Sequence, residues 1–167
     1  MDAPVGEVRE AIRAATWPEQ KAPRIQGALR HIRDARGELS LEFLVELPPL
    51  AAQAWLEAIP GVGPKTSAAV LLFSRLRRPA LPVDAHHHRV AQRLGWVPEN
   101  VSPGPAHKLL RALLPPEWDA QTLYDHHEAL MVHGQRLCCY RNPACGRCPV
   151  LDLCPRGQAQ NAPPGAV

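Results

Sequence analysis

Apolar residues return every three or four positions along most of this chain. They do so over residues 5–16, 22–35, 41–46, 51–59, 66–76, 84–94, 106–114 and 120–133. That period predicts short helices, each with one face toward a core. Between them lie "WPEQ", "RGELS", "LPPL", "PGVGP", "RRPALP", "GWVPENVSPGP" and "LPPEW", stretches that break helices and form turns. No run of β-branched residues alternates strictly with polar ones. The expected fold class is all-α, with about eight short helices and no internal repeats. From Pro155 the chain reads "PRGQAQNAPPGAV", without apolar period, and is expected to be a disordered tail over 155–167.

One turn stands out. Residues 58–72 read "AIPGVGPKTSAAVLL", a tight Gly/Pro turn between two apolar helices, with the helix–turn–helix unit at about 51–76. Gly61 and Gly63 are free to take φ > 0 and let another chain approach the backbone. The N–H groups opening the second helix point one way and suit a phosphate, a contact that carries no sequence information. Lys65 sits where the helix end favours acids rather than amines. It is either an indifferent surface residue or one whose awkward place has a use. A plain helix–helix connection is the ordinary reading of the turn.

Composition narrows the setting. The 167 residues are 46% hydrophobic and 21% charged, enough for one sizeable core or two small ones. A net charge of +3 only hints at polyanions. No apolar run of membrane-spanning length occurs and no signal peptide opens the chain, so a cytoplasmic location is expected. Disulfides are rare there, so the five cysteines need another explanation.

Two further stretches carry chemistry. In "LPVDAHHHRVAQRLGW" (81–96), Asp84 precedes an apolar-periodic helix and is a natural N-cap. Consecutive residues of the His86, His87, His88 triplet point in different directions along a helix, so solvated or nucleic-acid-facing rings are expected over a metal site. In "HGQRLCCYRNPACGRCPVLDLC" (133–154), Cys138, Cys145, Cys148 and Cys154 follow a C-x6-C-x2-C-x5-C spacing. Four thiols in so short a span imply a metal or cluster site, an iron–sulfur cluster or zinc. Cys139 competes with Cys138 as first ligand.

"LxxIPGVGPKTSAAV" resembles the helix-hairpin-helix of the endonuclease III family of DNA glycosylases, and "VDAHHHRV" is similar to that family's "VDTHVxRV". The cysteine spacing and the preceding "HG" resemble its iron–sulfur loop. The resemblance implies a helix-hairpin-helix glycosylase fold: a helical barrel domain (1–83), a cluster-bearing helical domain (84–154) and a [4Fe-4S] loop (138–154) held by Cys138, Cys145, Cys148 and Cys154. It implies Lys65 as nucleophile and Asp84 as second catalytic residue. DNA would meet Gly61, Val62, Gly63, Lys65, His86, Arg136, Arg141 and Arg147. The lysine points to the bifunctional branch rather than the adenine-glycosylase branch. Ala85 departs from the family pattern, removing a hydroxyl.

The family's opening helices, with their "LSAQxTD"-type segment, have no counterpart here. The resemblance therefore implies an N-terminally shortened, incomplete barrel, with an apolar face free to be covered by another copy. A wrong start, a fragment, or a member that has lost base excision would each give this pattern. The implied function is base-excision repair of double-stranded DNA with a damaged base or abasic site. The activity would be that of a DNA glycosylase and AP lyase acting by β-elimination on damaged pyrimidines or abasic sites. In a bacterium the protein would work at the nucleoid. The alternative is a catalytically silent iron–sulfur DNA-binding protein.

Overall fold

A computed structural model describes residues 2–161. Among them all regular structure is helical. The chain divides into two compact units, one running to Gly63 and one starting at Pro64.

The first unit holds α1 (Val5–Ala11), α2 (Pro18–Arg36), a 3-10 turn (Glu42–Val45) and α3 (Pro49–Glu57). The first expected helix is cut short at Ala11, and α2 begins four residues before the apolar period does. Proline explains the second. Trp17, just before it, lies outside right-handed helical backbone at φ 59°. Pro18 itself is at ease as the first helical residue, where its missing N–H is no loss, with Glu19 in the favourable first turn. So "WPEQ" starts a helix rather than separating two. Gly37 ends α2 at φ 78°, its N–H reaching the Arg33 carbonyl at 2.7 Å. α1 packs on α2, and Gln26 Nε2 donates to the Ala3 carbonyl at 2.6 Å. Phe43 and Trp55 meet edge-to-face at 4.9 Å, with the Arg36 guanidinium 4.0 Å above Phe43.

The second unit holds α4 (Pro64–Phe73), α5 (Ala85–Arg93), α6 (Pro103–Leu113), α7 (Ala120–Arg136) and α8 (Pro155–Asn161). Two 3-10 turns, Cys145–Arg147 and Leu151–Leu153, lie between α7 and α8. Leu72, Leu81, Val83, Ala91, Val97, Ala106, Leu110 and Leu123 form its core. Asp84 and Asp119 cap α5 and α7, their carboxylates accepting from the N–H of His87 (2.7 Å) and Thr122 (2.8 Å). α5 lies against α7, and α4 packs on both α6 and α7.

That last packing moves the boundary expected at 83/84 back to 63/64, inside the Gly/Pro turn. The expected tail also changes. Pro155–Asn161 form α8, which packs on α5 and on both 3-10 turns. Tertiary contact outweighs a composition that alone predicts no structure. The remainder of that tail, 162–167, lies outside the described residues. No helix among the described residues is long and apolar enough to cross a membrane.

Candidate active site and cysteine pocket

The turn between α3 and α4 is tightened by Val62 N–H donating to the Ile59 carbonyl at 3.0 Å. Gly61 takes φ 88°, a conformation that favours glycine. Gly63 does not use that freedom; it faces open space, where a Cβ would meet nothing within 4 Å. Lys65 is the second residue of α4 and is exposed.

Asp84 is half-buried at the start of α5 in extended conformation. Its capping bond uses one carboxylate oxygen. His127 is held below its ordinary range, by burial first, with Asp84 opposing and Lys65 adding to the depression. The sequence did not single out this imidazole, on which both Lys65 and Asp84 act electrostatically.

The histidine triplet is not solvated. His87 is fully buried and His88 nearly so. The apolar side of α5 carries both, because Val90 and Ala91 share it. His88 Nε2 lies 2.9 Å from the Val101 carbonyl O. His87 is flanked by His126 (ring centroids 5.3 Å) and His127 (5.7 Å, stacked), and neither of its ring nitrogens has a hydrogen-bond partner. Burial, then the His126 and His127 rings, lower its pKa to about 3. His86 is half-buried, its Nδ1 3.1 Å from Arg89 Nη2. Gly134, the glycine of "HG", has a packing reason: a Cβ there would stand 2.9 Å from the His86 Cβ and 3.0 Å from its carbonyl O. α7 can cross α5 this closely only with glycine.

Cys138, Cys145, Cys148 and Cys154 line one pocket together with Arg93, His133, Gly157 and apolar residues. Cys139 is not among its walls; its thiol donates to the Gln135 carbonyl at 3.4 Å. Of the two neighbouring thiols, only that of Cys138 faces the pocket. Burial raises the Cys145 thiol, and Cys138, Cys154 and Cys148 raise it further, as expected where sulfurs crowd together. Two N–H donors already aim at sulfur: Arg93 Nη1 at Cys138 (3.1 Å) and the Gly157 amide at Cys154 (3.3 Å). Such donors suit thiolates, so the donor set fits an iron–sulfur group. Among the described residues no three His, Cys, Asp or Glu side chains are arranged around a single ion. The thiols surround a cavity instead.

Sequence reasoning missed Arg89 and Arg93. Arg89 donates to the carbonyls of Cys138 (2.9 Å) and Gly134 (2.6 Å). Arg93 donates to the carbonyls of Cys138 (3.2 Å), Cys139 (2.8 Å) and Tyr140 (3.1 Å). The usable signal was their i,i+4 spacing on a helix whose other side is apolar. Arg136, Arg141 and Arg147, predicted to meet phosphates, are all exposed.

Comparison with known proteins accords with this geometry. The chain is 32% identical to the DNA glycosylase/AP lyase ROS1 of Arabidopsis thaliana over 165 residues, 91% of this chain and 12% of that protein. It is 32% identical to endonuclease III of Synechocystis over 154 residues, 92% of this chain and 64% of that protein. The chain thus spans a small part of the plant relative and under two thirds of the bacterial one. Its fold superimposes on endonuclease III in a trapped covalent intermediate with DNA at a TM-score of 0.75 and 28% identity, covering 95% of this chain and 68% of that one. Residues 141–154 match the iron–sulfur binding domain of endonuclease III. Residues 1–116 match the HhH-GPD profile, so the chain belongs to the HhH-GPD superfamily of base excision DNA repair proteins.

Proposed function

We propose that this protein is a DNA glycosylase with associated AP lyase activity, with Lys65 as nucleophile and Asp84 as its electrostatic partner. The observation that carries the reading is the placement of Lys65 and Asp84 at the starts of α4 and α5, two helices of one compact unit. Support comes from the family, and from the likeness to endonuclease III, whose structure with DNA is a trapped covalent intermediate.

The chemistry follows from these residues. The neutral Lys65 amine attacks C1′ of a damaged nucleotide; the N–C1′ bond forms and the base leaves with the glycosidic electron pair. At an abasic site the amine adds to the C1′ aldehyde and water leaves. The resulting Schiff base acidifies the C2′ proton, and its loss expels the 3′ phosphate. Asp84 stabilises positive charge developing on the sugar and takes part in moving the amine proton. Lys65 is exposed.

Double-stranded DNA is the partner, its phosphates lying at Gly61, Val62, Gly63 and the α4 N-terminus, with Arg136, Arg141 and Arg147 as further contacts. Cys138, Cys145, Cys148 and Cys154 would hold a [4Fe-4S] cluster, which when bound cross-links the loop after α7. His86, half-buried against Arg89 and Gly134, is better placed to shape the start of α5 than to reach DNA.

The test is borohydride reduction in the presence of a duplex with one abasic site. A covalent complex that disappears in Lys65→Ala is the expected result. Intact DNA binding without any trapped complex would refute the lyase and favour a silent DNA-binding protein.

A further inference from the structure

We propose that Gln160, carried by helix α8 to the edge of the cysteine cavity, is a positioning residue for the metal-binding sulfur of Cys145. The inference rests on the reading that the four cysteines hold an iron–sulfur cluster, and it adds a side chain from beyond the last cysteine to that site.

Helix α8 has little of its own to hold it. Its seven residues, "PRGQAQN", include no large apolar side chain, and a helix this short is marginal in isolation. Its order comes from what it touches. Gln158 Nε2 donates to the Asp152 carbonyl at 2.7 Å, and Arg156 Nη1 lies 3.3 Å from Glu99 Oε1. Gly157 is buried so closely that a Cβ there would stand 2.9 Å from Leu151 Cδ1 and 3.5 Å from Cys154 Sγ. This packing decides which side of α8 faces the sulfurs. Arg156, Gly157 and Gln160 line the cavity, whereas Gln158 and Ala159 do not. Positions 156, 157 and 160 share one face of a helix.

At the end of that face Gln160 meets Cys145, whose thiol donates to Gln160 Oε1 at 3.3 Å. Gln160 is exposed and Cys145 half-buried, so the pair stands at the rim of the cavity. A sulfur bound to metal has lost its proton and can only accept. A carboxamide suits both states. It ends in an oxygen and an NH2 of nearly the same shape, so a half-turn about its last bond replaces the acceptor by a donor. Cys138 and Cys154 already receive N–H groups, from Arg93 Nη1 (3.1 Å) and the Gly157 amide (3.3 Å). Gln160 gives Cys145 a partner of the same kind. Such donors draw charge from the sulfur, help to retain the metal and raise the reduction potential. A glutamate at this position has the same length and accepts from the free thiol, but cannot donate to the thiolate.

The experiment compares four full-length proteins, each purified with its metal: wild type, Gln160→Glu, Gln160→Leu and Ala159→Glu. Two quantities are read on each, the rate at which a chelator strips the metal and the reduction potential. Gln160→Glu should release iron about tenfold faster than wild type, as when a partner of a metal ligand is lost, and its potential should fall. Gln160→Leu removes the donor without adding charge. It should release iron about fivefold faster, as for one hydrogen bond lost, again at a lower potential. Ala159→Glu puts the same charge on the same helix, off the cavity, and should match wild type in both. Wild-type rates and potentials in both Gln160 variants overturn the inference while leaving the cluster reading intact. Equal effects from Ala159→Glu and Gln160→Glu would show a general charge effect on α8 and also overturn it. A wild type holding zinc and no iron sinks the cluster reading, and the release rates still decide Gln160, since zinc-bound sulfur is a thiolate too. A wild type that holds no metal sinks both.

Discussion

The turn before α4 and the loop after α7 look alike in sequence, both short and broken by glycine and proline, yet they are held in opposite ways. The turn has one internal backbone bond, Val62 to Ile59, and its glycines are exposed. The first N–H groups of α4 have no acceptor within their helix. The cysteine loop turns its polar groups inward. Ala144 N–H meets the Leu137 carbonyl at 2.9 Å, Cys138 N–H meets the His133 carbonyl at 2.9 Å, and two arginines of α5 bind the loop carbonyls. A segment with unused donors can grip a partner. One whose donors are used internally can keep four sulfurs around a cavity. The contrast separates residues needed for reaction from residues needed for assembly.

Lys65→Ala is the strongest way to sharpen that contrast. Strand cleavage and trapping on an abasic duplex should fall by more than about a thousandfold, as when a nucleophile is removed. DNA affinity, measured by gel shift, and visible absorbance should both stay near wild type. Loss of absorbance in this variant would mean that the two regions are not independent. In the loop, Cys138→Ser should lose iron and absorbance, whereas the neighbouring Cys139→Ser should keep both. Iron analysis of the two purified variants checks this, and equal losses would break the assignment of the first thiol.

Much of the helical layout was legible because apolar period and caps agree: Asp84 and Asp119 both cap where pattern alone places a helix start. The cysteine pocket was legible because its spacing is local. The burial of His87 and His88 was not. Their polarity suggested solvent, but α5 buries them on its apolar side with Val90 and Ala91, His87 against α7 and His88 on the Val101 carbonyl, and tertiary packing overrides polarity. Arg89 and Arg93 read as an ordinary charged helix side, since their acceptors lie 45 to 49 residues away in sequence. Helix α8 was hidden by composition, its stability coming from contacts with α5 and the 3-10 turns. Gly134 read as family pattern only, and its reason appears only when α7 crosses His86.

Acid tests the assembly side of the contrast. His87 is held at about 3, against an ordinary value of 6.5. Between those values the unfolded chain binds a proton that the folded one refuses. Stability from this residue is therefore full above about pH 6.5 and lost as pH falls toward 3. The loss should approach roughly 4 kcal/mol. Denaturant unfolding of wild type and His87→Phe at several pH values checks it; the variant should show a shallower acid limb. Wild-type stability that is flat below pH 6 would contradict the burial of His87. A smaller effect of the same kind is expected at Arg93. Arg93→Met strands the Cys139 and Tyr140 carbonyls, while Arg89 still serves that of Cys138, and should cost about 2 kcal/mol. Arg147→Ala, on an exposed side chain, should stay within about 0.5 kcal/mol in stability while modestly weakening DNA binding and its salt dependence.

The two glycines of the turn discriminate best, because their effects fall on different readouts. Gly61 sits at φ 88°, and a Cβ there would press within 3.2 Å of the Arg24 side chain. Gly61→Ala should therefore cost about 1–2 kcal/mol in the free protein, because an L side chain strains that backbone. Gly63 has ordinary backbone and open space around it. Gly63→Ala should leave folding unchanged or slightly more favourable, since alanine restricts the unfolded chain. If DNA phosphates approach this turn, the added methyl meets them instead, and duplex affinity should fall about tenfold with no loss of stability. Thermal melts paired with gel shifts on both variants separate the two effects. A Gly63→Ala protein that binds duplex as wild type does would place the DNA elsewhere, and the unused donors of the turn would then need another partner.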